Sequence, residues 1–266
     1  MKTKSILLGI ISVALPSLAL AQTIISDTFN GTNGTLLTAH APNVNLTGGG
    51  WTFSSANNSI GPNIAIQSDA ALVTRFGSAG INITSSGTYV KPIEMTLSAT
   101  LNGMNSTTGS AVQAGVSLGF FSSLGTGESQ NWFNFSGLVL AADGTLKLIR
   151  STTTFTPILI ASAAYSGSWV QNAAHTLTYK INTSTGQISN ISLDGDSASY
   201  AGFSTNIFTN ANTTYAGFYL SNDTTPTGKT ASVDNFQLVA VPEPAAFGML
   251  CIAGLFTMVR RSRKQA

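Results

Sequence analysis

Apolar and polar residues alternate with a period of two along much of this chain, which is the pattern of β-strands with one buried face. We find no amphipathic helix of useful length between Gln22 and Val241. The clearest alternating stretches place apolar side chains at Ile93, Met95, Leu97, Ala99 and Leu101, at Val112, Ala114, Val116, Leu118 and Phe120, and at His175, Leu177, Tyr179 and Ile181. The pattern therefore predicts an all-β fold.

Turn signals divide this pattern into hairpins. Asp143-Gly144 separates apolar residues 138–140 from 146–149, and Ser184-Thr185-Gly186 leads into residues 188–193. Such Gly-containing turns between β-type segments predict β-hairpins. Further strands are predicted at residues 214–220 and 231–239. Many short strands with one buried face predict a sandwich of two sheets.

The first 21 residues have the features of a secretory signal peptide. Lys2 and Lys4 supply the positive charge, residues 6–15 the apolar core, and Ala19-Leu20-Ala21 a small-residue cleavage site. Cleavage by a signal peptidase is expected to leave Gln22 first. We therefore assign residues 1–21 to a signal peptide and residues 22–240 to one exported domain.

Residues 241–266 combine a proline-rich motif, an apolar segment and a basic stretch. Val241-Pro242-Glu243-Pro244 is expected to be extended, because proline disfavours helix in the residue before it. Residues 245–259 carry no charge and would span ~22 Å as a helix, short of the ~30 Å of a bilayer core. The cations of residues 260–266 would remain cytoplasmic: Arg260, Arg261, Arg263 and Lys264. A simple membrane anchor with a proline-rich boundary is the plain interpretation.

The same three parts, in this order, closely resemble the PEP-CTERM sorting signal of Gram-negative bacteria. The resemblance covers residues 241–266, and Pro242, Glu243 and Pro244 match its motif. It implies recognition by an exosortase-like membrane enzyme, a transient stay in the inner membrane, and delivery to the cell surface or to a biofilm matrix rich in exopolysaccharide. Under that interpretation the motif is a site used by another enzyme.

Several short motifs are spread across residues 22–240. They are Asp27-Thr28-Phe29, residues 33–37, Gly50-Trp51, Trp169, residues 175–179, Leu193-Asp194-Gly195, residues 216–219 and residues 233–236. Together they resemble laminin-G-like and concanavalin-A-like jelly rolls. The resemblance implies that the first and last strands lie side by side. It also implies recognition of carbohydrate or protein, with a few relatives acting as glycosidases.

The charge and the cysteine content argue against two classes of protein, nucleic-acid-binding proteins and disulfide-stabilised scaffolds. The sequence has a net charge of +2, but without residues 1–21 and 260–266 it holds six basic and ten acidic residues, a net charge of −4. The basic character belongs to the targeting segments, so it does not indicate a nucleic-acid partner. Cys251, the only cysteine, lies in the apolar segment. A disulfide scaffold is therefore excluded for the exported domain.

The sequence offers little acid–base chemistry. Glycoside hydrolysis needs two neighbouring carboxyl groups. Glu94 and Glu128, the only glutamates before residue 243, are far apart in the sequence. His175 lies on an apolar strand face and is interpreted as structural, while no partner for His40 can be read from the sequence. Zinc-type Cys/His spacing is absent. We therefore expect no enzymatic activity, unless distant residues converge in the fold.

Calcium is considered because jelly rolls often hold a structural ion and Ca²⁺ takes oxygen ligands. Asp27 and Asp234 would lie close together if the terminal strands pair, although capping or strand-edge hydrogen bonds are the alternative. Asp194-Gly195-Asp196 offers two more carboxylates but is read as a hairpin turn. No cofactor is expected, and calcium dependence is expected to be weak or absent.

Sugar binding calls for an exposed aromatic side chain with polar neighbours. Trp132, with Asn131 and Asn134 beside it, fits best, although Trp132 could instead begin a strand and pack in the core. Trp51 and Trp169 are assigned to the core. The sequence thus predicts an exported, non-enzymatic protein that contacts extracellular polysaccharide. The alternatives are a structural or adhesive protein that binds proteins, or a polysaccharide hydrolase or lyase whose site is not apparent.

Overall fold

The computed structural model describes residues 21–54, 64–73, 77–84, 86–102, 115–124, 134–150, 158–171, 173–203, 205–206, 214–221 and 231–242. Two compact units are distinguished in the chain. The larger unit is Gln22–Val241. The other comprises Met1–Ala21 and Pro242–Ala266, of which only Ala21 and Pro242 are described.

The larger unit is built of two antiparallel sheets. The first sheet has the order β14-β13-β12-β7-β16-β1-β2, with β5 pairing to β16 and β4 pairing to β5. Its strands are β1 Gln22–Asp27, β2 Val44–Asn45, β4 Ala65–Ile66, β5 Ala71–Val73, β7 Glu94–Asn102, β12 His175–Asn182, β13 Gln187–Leu193, β14 Thr205–Asn206 and β16 Ala231–Ala240.

The second sheet has the order β11-β10-β9-β8-β15-β6-β3. Its strands are β3 Trp51–Ser54, β6 Gly77–Asn82, β8 Gly115–Phe121, β9 Phe135–Leu140, β10 Thr145–Arg150, β11 Ile158–Ala164 and β15 Tyr215–Ser221. Two 3₁₀ helices, Leu37–Ala39 and Ala198–Phe203, complete the described elements. The all-β prediction is confirmed, and the two sheets are consistent with the predicted jelly-roll sandwich.

One apolar core lies between the two sheets. Met95, Leu97 and Ala99 of β7 contribute to it from the first sheet, and Leu118 and Phe120 of β8 from the second. The hydroxyl of Tyr179 on β12 donates a hydrogen bond across this core to the carbonyl oxygen of Leu118, at 3.1 Å. Burial raises the pKa of Tyr179 well above its ordinary value, so this donor stays protonated at physiological pH.

The predicted hairpins are confirmed. Strands β9 and β10 pair across the turn that contains Gly144, and β12 pairs with β13 across the turn that contains Gly186. The two glycines have positive φ values of 82° and 73°, a backbone conformation that residues other than Gly, Asn and Asp rarely adopt. Ile93 was wrongly placed in the buried face of β7. It precedes the strand and is 48% exposed.

The first and last strands lie side by side, as the jelly-roll resemblance implied. Gln22 of β1 pairs with Ala240 of β16, and Asp27 pairs with Phe236. The register shifts between Asp234 and Gln237, where β16 also pairs with β7. Asn235 in this bulge has a φ of 49°. Because β1 ends at Asp27 opposite Phe236, Asp234 lies beyond the β1 pairing, and the two aspartates are not direct cross-strand partners.

Four glycines form a row across the second sheet. Gly80, Gly217, Gly119 and Gly137 are successive cross-strand partners on β6, β15, β8 and β9. A β-carbon at Gly217 would clash with the carbonyl oxygen of Ala79, and one at Gly119 would meet the Phe135 ring. Phe135 belongs to a second, smaller buried apolar cluster with Phe121, Val139, Ile149 and Tyr219. The glycine row therefore lets the strands and this aromatic ring approach closely.

Candidate functional site

The residues predicted to contact sugar are only partly described. Trp132 and Asn131 lie outside the described residues. Asn134 is half-buried where β9 begins, and its side chain joins two hydroxyl groups. Its Oδ1 accepts a hydrogen bond from Ser122 at 3.1 Å, and its Nδ2 donates to Ser123 at 2.9 Å. These bonds connect the end of β8 to the start of β9.

Most residues of the predicted signal peptide and of the predicted sorting segment also lie outside the described residues. They include Ala19, Glu243, Pro244, residues 245–259, Arg260, Arg261, Arg263 and Lys264. Ala21 is exposed directly before β1, and Pro242 is half-buried directly after Val241. In the described part of the chain, no helix has the length and apolar composition needed to cross a membrane.

Asp27 is the centre of a buried polar network at the end of β1. Its side chain is fully buried. Oδ1 accepts hydrogen bonds from the Phe29 amide and from His40 Nε2, each at 2.8 Å. Oδ2 accepts from Trp51 Nε1 at 2.6 Å. The Trp51 ring packs against Phe236 with centroids 5.2 Å apart. This network fastens the segment that contains His40 to both sheets, and it supplies the partner that the sequence did not reveal.

The same geometry bears on the calcium prediction. Both oxygens of Asp27 face N–H donors, whose positive ends would repel a cation, so Asp27 does not fit direct coordination of calcium. Asp234 accepts hydrogen bonds from the amide and the side chain of Asn235. Burial raises the pKa of Asp234, and Asp69 and Asp27 raise it further. Among the described residues, no group of three His, Cys, Asp or Glu could hold a metal ion.

His175 belongs to a second polar and aromatic cluster. Its ring stacks on Trp169 with centroids 4.2 Å apart and an angle of 14°. Nδ1 lies 2.6 Å from Asp194 Oδ2, and Nε2 lies 3.3 Å from the carbonyl oxygen of Val170. Trp169 also lies directly against Gly144 and donates a hydrogen bond to the carbonyl oxygen of Ala142 at 2.8 Å. With these contacts His175 and Trp169 fasten the loop after β11, as expected for structural residues.

The predicted turn at Asp194-Gly195-Asp196 is confirmed. Leu193 and Asp196 pair across it, and Asp194 and Gly195 have φ values of 51° and 87°. Asp196 Oδ2 accepts a hydrogen bond from Ser166 at 2.5 Å. The hydroxyls of Ser166 and Ser199 lower the pKa of Asp196. The carboxylate therefore links the loop after β11 to the start of the second 3₁₀ helix.

A cleft of about 560 Å³ lies beside this turn. Strand β13 and the second 3₁₀ helix form it, and that helix also contacts β11 of the other sheet. The lining residues are Ser189, Asn190, Ile191, Ser197, Tyr200 and Ala201. The sequence analysis did not single out any of them. The one available signal was Asn190 within an apolar alternation, since Asn is tolerated at positive φ in bulges.

Tyr200 is 2% exposed and packs edge-on against Phe203, with ring centroids 5.6 Å apart. Its hydroxyl is buried and has no hydrogen-bond partner among the described residues. Burial raises the pKa of Tyr200 to about 12, and Asp196, Tyr165 and Asp194 add to the rise. The hydroxyl is therefore protonated at physiological pH and available as a donor.

Comparison with known proteins found no matching family model and no matching curated protein. Solved structures do match. The carbohydrate esterase of Shiga toxin-encoding bacteriophage phi24B is 12% identical and has a TM-score of 0.44, over 84% of this chain and 100% of that one. The ligand-binding domain of botulinum neurotoxin serotype D, in complex with N-acetylneuraminic acid, is 10% identical and has a TM-score of 0.40. That match covers 84% of this chain and 48% of the toxin chain.

A botulinum neurotoxin type C structure, described by its interaction with two ganglioside molecules, is 11% identical with a TM-score of 0.41. The match covers 87% of this chain and 51% of the toxin chain. This chain thus spans about half the length of both toxin chains. Because these identities and TM-scores are low, the function proposed next depends on the residues of this chain alone.

Proposed function

We propose that this chain is an exported, exosortase-sorted protein of the cell surface or extracellular matrix. Its jelly-roll domain contacts extracellular polysaccharide and catalyses no reaction. A signal peptidase removes residues 1–21, the apolar residues 245–259 hold the chain transiently in the inner membrane, and an exosortase-like enzyme recognises Pro242, Glu243 and Pro244. Arg260, Arg261, Arg263 and Lys264 keep the tail in the cytoplasm until processing.

The observation that carries this proposal is where the folded unit begins and ends. Strand β1 begins at Gln22, directly after the proposed signal-peptide cleavage site, and β16 ends at Ala240, directly before the proposed sorting motif. The amide of Val241 donates to the carbonyl oxygen of Glu94 at 2.9 Å, after which Pro242 has no amide proton to continue the ladder. Removal of both targeting segments would therefore leave the two sheets whole.

The pairing of β1 with β16 explains why the ends of the folded unit lie next to the two proposed processing points. Gln22 and Ala240 are cross-strand partners, so both processing points lie at one end of a single strand pair. A peptidase that acts at either point needs an extended substrate that is outside the sheet. Cleavage before Gln22 or after Val241 would leave every described strand paired.

The geometry of the two histidines supports a non-enzymatic role. Each is paired with an aspartate, but His40 meets a fully buried carboxylate and His175 is covered by Trp169. Substrate would have to displace the indole or open the buried network to reach either ring. Both pairs are explained by the loops that they fasten, so neither requires a catalytic role.

Sorting is tested by replacing Pro242, Glu243 and Pro244 with alanine in the gene of the producing organism. The variant should accumulate in the inner membrane at its uncleaved mass, while deletion of Gln265 and Ala266 serves as the control and should leave sorting unchanged. Terminal peptides of wild-type protein recovered from the surface should begin at Gln22 and lack residues 245–266. Surface delivery of the alanine variant at the wild-type level would refute the sorting proposal.

Polysaccharide contact is tested with the organism's own exopolysaccharide. The wild-type protein should bind it saturably, and Trp132→Ala should weaken binding if Trp132, with Asn131 and Asn134, forms the contact. Trp169→Phe is the matched control, because that indole is stacked on His175 and is not proposed to touch ligand. Absence of binding by folded wild-type protein would refute the polysaccharide proposal and favour a structural or adhesive role.

A further inference from the structure

The cleft formed by β13 and the second 3₁₀ helix owes its shape to a β-bulge. Thr178 of β12 pairs with Ser192, but Lys180 pairs with Ser189, so Asn190 and Ile191 together oppose one residue of β12. Asn190 adopts a φ of 51° there, and its side chain is exposed. Bulges of this kind redirect side chains and are over-represented beside functional sites.

The Tyr200 hydroxyl has no role in folding that the structure shows. A buried hydroxyl without a partner destabilises a protein, and phenylalanine would fill the same space without that penalty. Tyr200 lines the cleft, and its ring is fixed against Phe203. A hydrogen bond to a bound ligand would satisfy this hydroxyl, which is a reason for tyrosine at this position.

The chemistry of the lining defines the ligand. Ser189 and Ser197 supply hydroxyls, Asn190 a carboxamide and Tyr200 a phenol, while Ile191 adds an apolar surface. Among the described residues, none that lines the cleft carries a formal charge at neutral pH. A volume of about 560 Å³ lies within the range of roughly 300–1,000 Å³ usual for small-molecule sites. Hydroxyl and amide groups beside an apolar surface suit a neutral, polyhydroxylated ring.

We propose that this cleft binds a neutral sugar residue of a polysaccharide chain, with Tyr200 and Asn190 as hydrogen-bonding contacts. This inference rests on the proposed function, because it gives the polysaccharide contact a location and a ligand class. It also places that contact at a site other than Trp132. The cleft lies beside β14, away from β1, so a bound chain would not obstruct the processing points at Gln22 and Val241.

The test uses the full-length chain, purified in a detergent without sugar groups, and calorimetry with defined probes. The probes are neutral tetrasaccharides of glucose, mannose and galactose, the corresponding monosaccharides, and an acidic tetragalacturonate. Tyr200→Phe removes the hydroxyl alone, and Asn190→Gly removes the carboxamide while keeping the positive φ accessible. Each substitution should weaken binding of a neutral tetrasaccharide about 2- to 10-fold, and melting of Tyr200→Phe should occur no lower than that of the wild type.

Tyr89→Phe is the matched control. The Tyr89 hydroxyl is also buried without a partner among the described residues, and burial raises its pKa to about 12 as well, but Tyr89 does not line the cleft. This variant should bind the tetrasaccharide like the wild type. Bound tetrasaccharide should also slow hydrogen exchange in peptides that cover residues 187–203.

The outcomes separate the two proposals. Wild-type binding that survives both Tyr200→Phe and Asn190→Gly would overturn the cleft while leaving the polysaccharide function intact. Binding of tetragalacturonate alone would overturn the proposal that the ligand is neutral. A monosaccharide that binds as tightly as its tetrasaccharide would overturn the proposal that the ligand is part of a polysaccharide chain. If no probe and no exopolysaccharide from the organism binds to folded wild-type protein, both proposals fail.

Discussion

Asp27→Asn tests whether the buried network at the end of β1 holds the fold together. The substitution keeps the size of the side chain and one acceptor oxygen. That oxygen can still accept from the Phe29 amide and His40, but the new NH₂ group then faces Trp51 Nε1, which is also a donor. If the amide is reversed, it is Phe29 and His40 that lose their acceptor.

The magnitude follows from what each orientation leaves unsatisfied. A hydrogen bond to a charged group contributes about 1.5–3 kcal/mol, and a buried donor without an acceptor costs about 1–3 kcal/mol. Asp27 is fully buried and Trp51 is 3% exposed, so water cannot replace the lost partner without opening the site. We therefore expect Asp27→Asn to lower the free energy of unfolding by about 3–5 kcal/mol.

Equilibrium unfolding in urea, followed by circular dichroism, measures this loss. The matched control is Asp143→Asn, because Asp143 accepts a hydrogen bond from the Thr145 amide in an exposed turn. Its expected effect is below about 0.5 kcal/mol. Combined with Trp51→Phe, Asp27→Asn should be less than additive by about 1–2 kcal/mol, since both remove the same hydrogen bond. A loss below about 1 kcal/mol for Asp27→Asn would refute the reasoning.

Three further predictions concern the glycine row and two carboxylates. Gly217→Ala should lower the free energy of unfolding by about 2–3 kcal/mol, because the new methyl group clashes with the carbonyl oxygen of Ala79. Urea titration measures this loss, and a loss below about 1 kcal/mol would contradict the prediction. The pKa of Asp196 is lowered in the fold, so its contribution to stability is present above the ordinary pKa and disappears as the pH falls through the folded value. Asp196→Asn should therefore lower the melting temperature more at pH 7 than at pH 2, and an equal loss at both would contradict the assignment. The pKa of Asp234 is raised, so its ionisation destabilises the fold once the pH exceeds both values. The melting temperature of Asp234→Asn, relative to that of the wild type, should thus be higher at pH 7 than at pH 3. A higher relative melting temperature at pH 3 would contradict the raised pKa of Asp234.

The strand pattern could be predicted from the sequence because alternation and turn chemistry are local. Strands β7, β12 and β13 and the turns at Gly144 and Gly186 depend on residues within one hairpin or one strand. Ile93 was misplaced because alternation does not reveal where a strand begins. The two-sheet sandwich followed from the number of short strands, whereas the pairing of β1 with β16 followed from the resemblance.

The polar networks could not be predicted in the same way. Asp27 lies 13 residues from His40 and 24 residues from Trp51, so only the fold brings them together. The sequence therefore presented Asp27 as a candidate calcium ligand or as a residue of a cap or strand edge, without its partners His40 and Trp51. Weak or absent calcium dependence stays a prediction, and the N–H groups around Asp27 argue against its direct coordination of calcium.

The glycine row and the cleft depend on register. Gly80, Gly119, Gly137 and Gly217 are far apart in the chain and align only when four strands are paired in register. The cleft likewise depends on the bulge at Asn190, which alternation alone does not locate. Register is set by long-range packing, so these features needed the structure.

The central claim is that this exported domain contacts polysaccharide, and co-sedimentation tests it most directly. Processed protein recovered from the cell surface would be mixed with increasing amounts of insoluble exopolysaccharide from the same cells, and the bound fraction measured. We predict saturable binding that excess soluble exopolysaccharide abolishes. Protein that is folded by circular dichroism but stays in the supernatant at every polysaccharide concentration would contradict the claim.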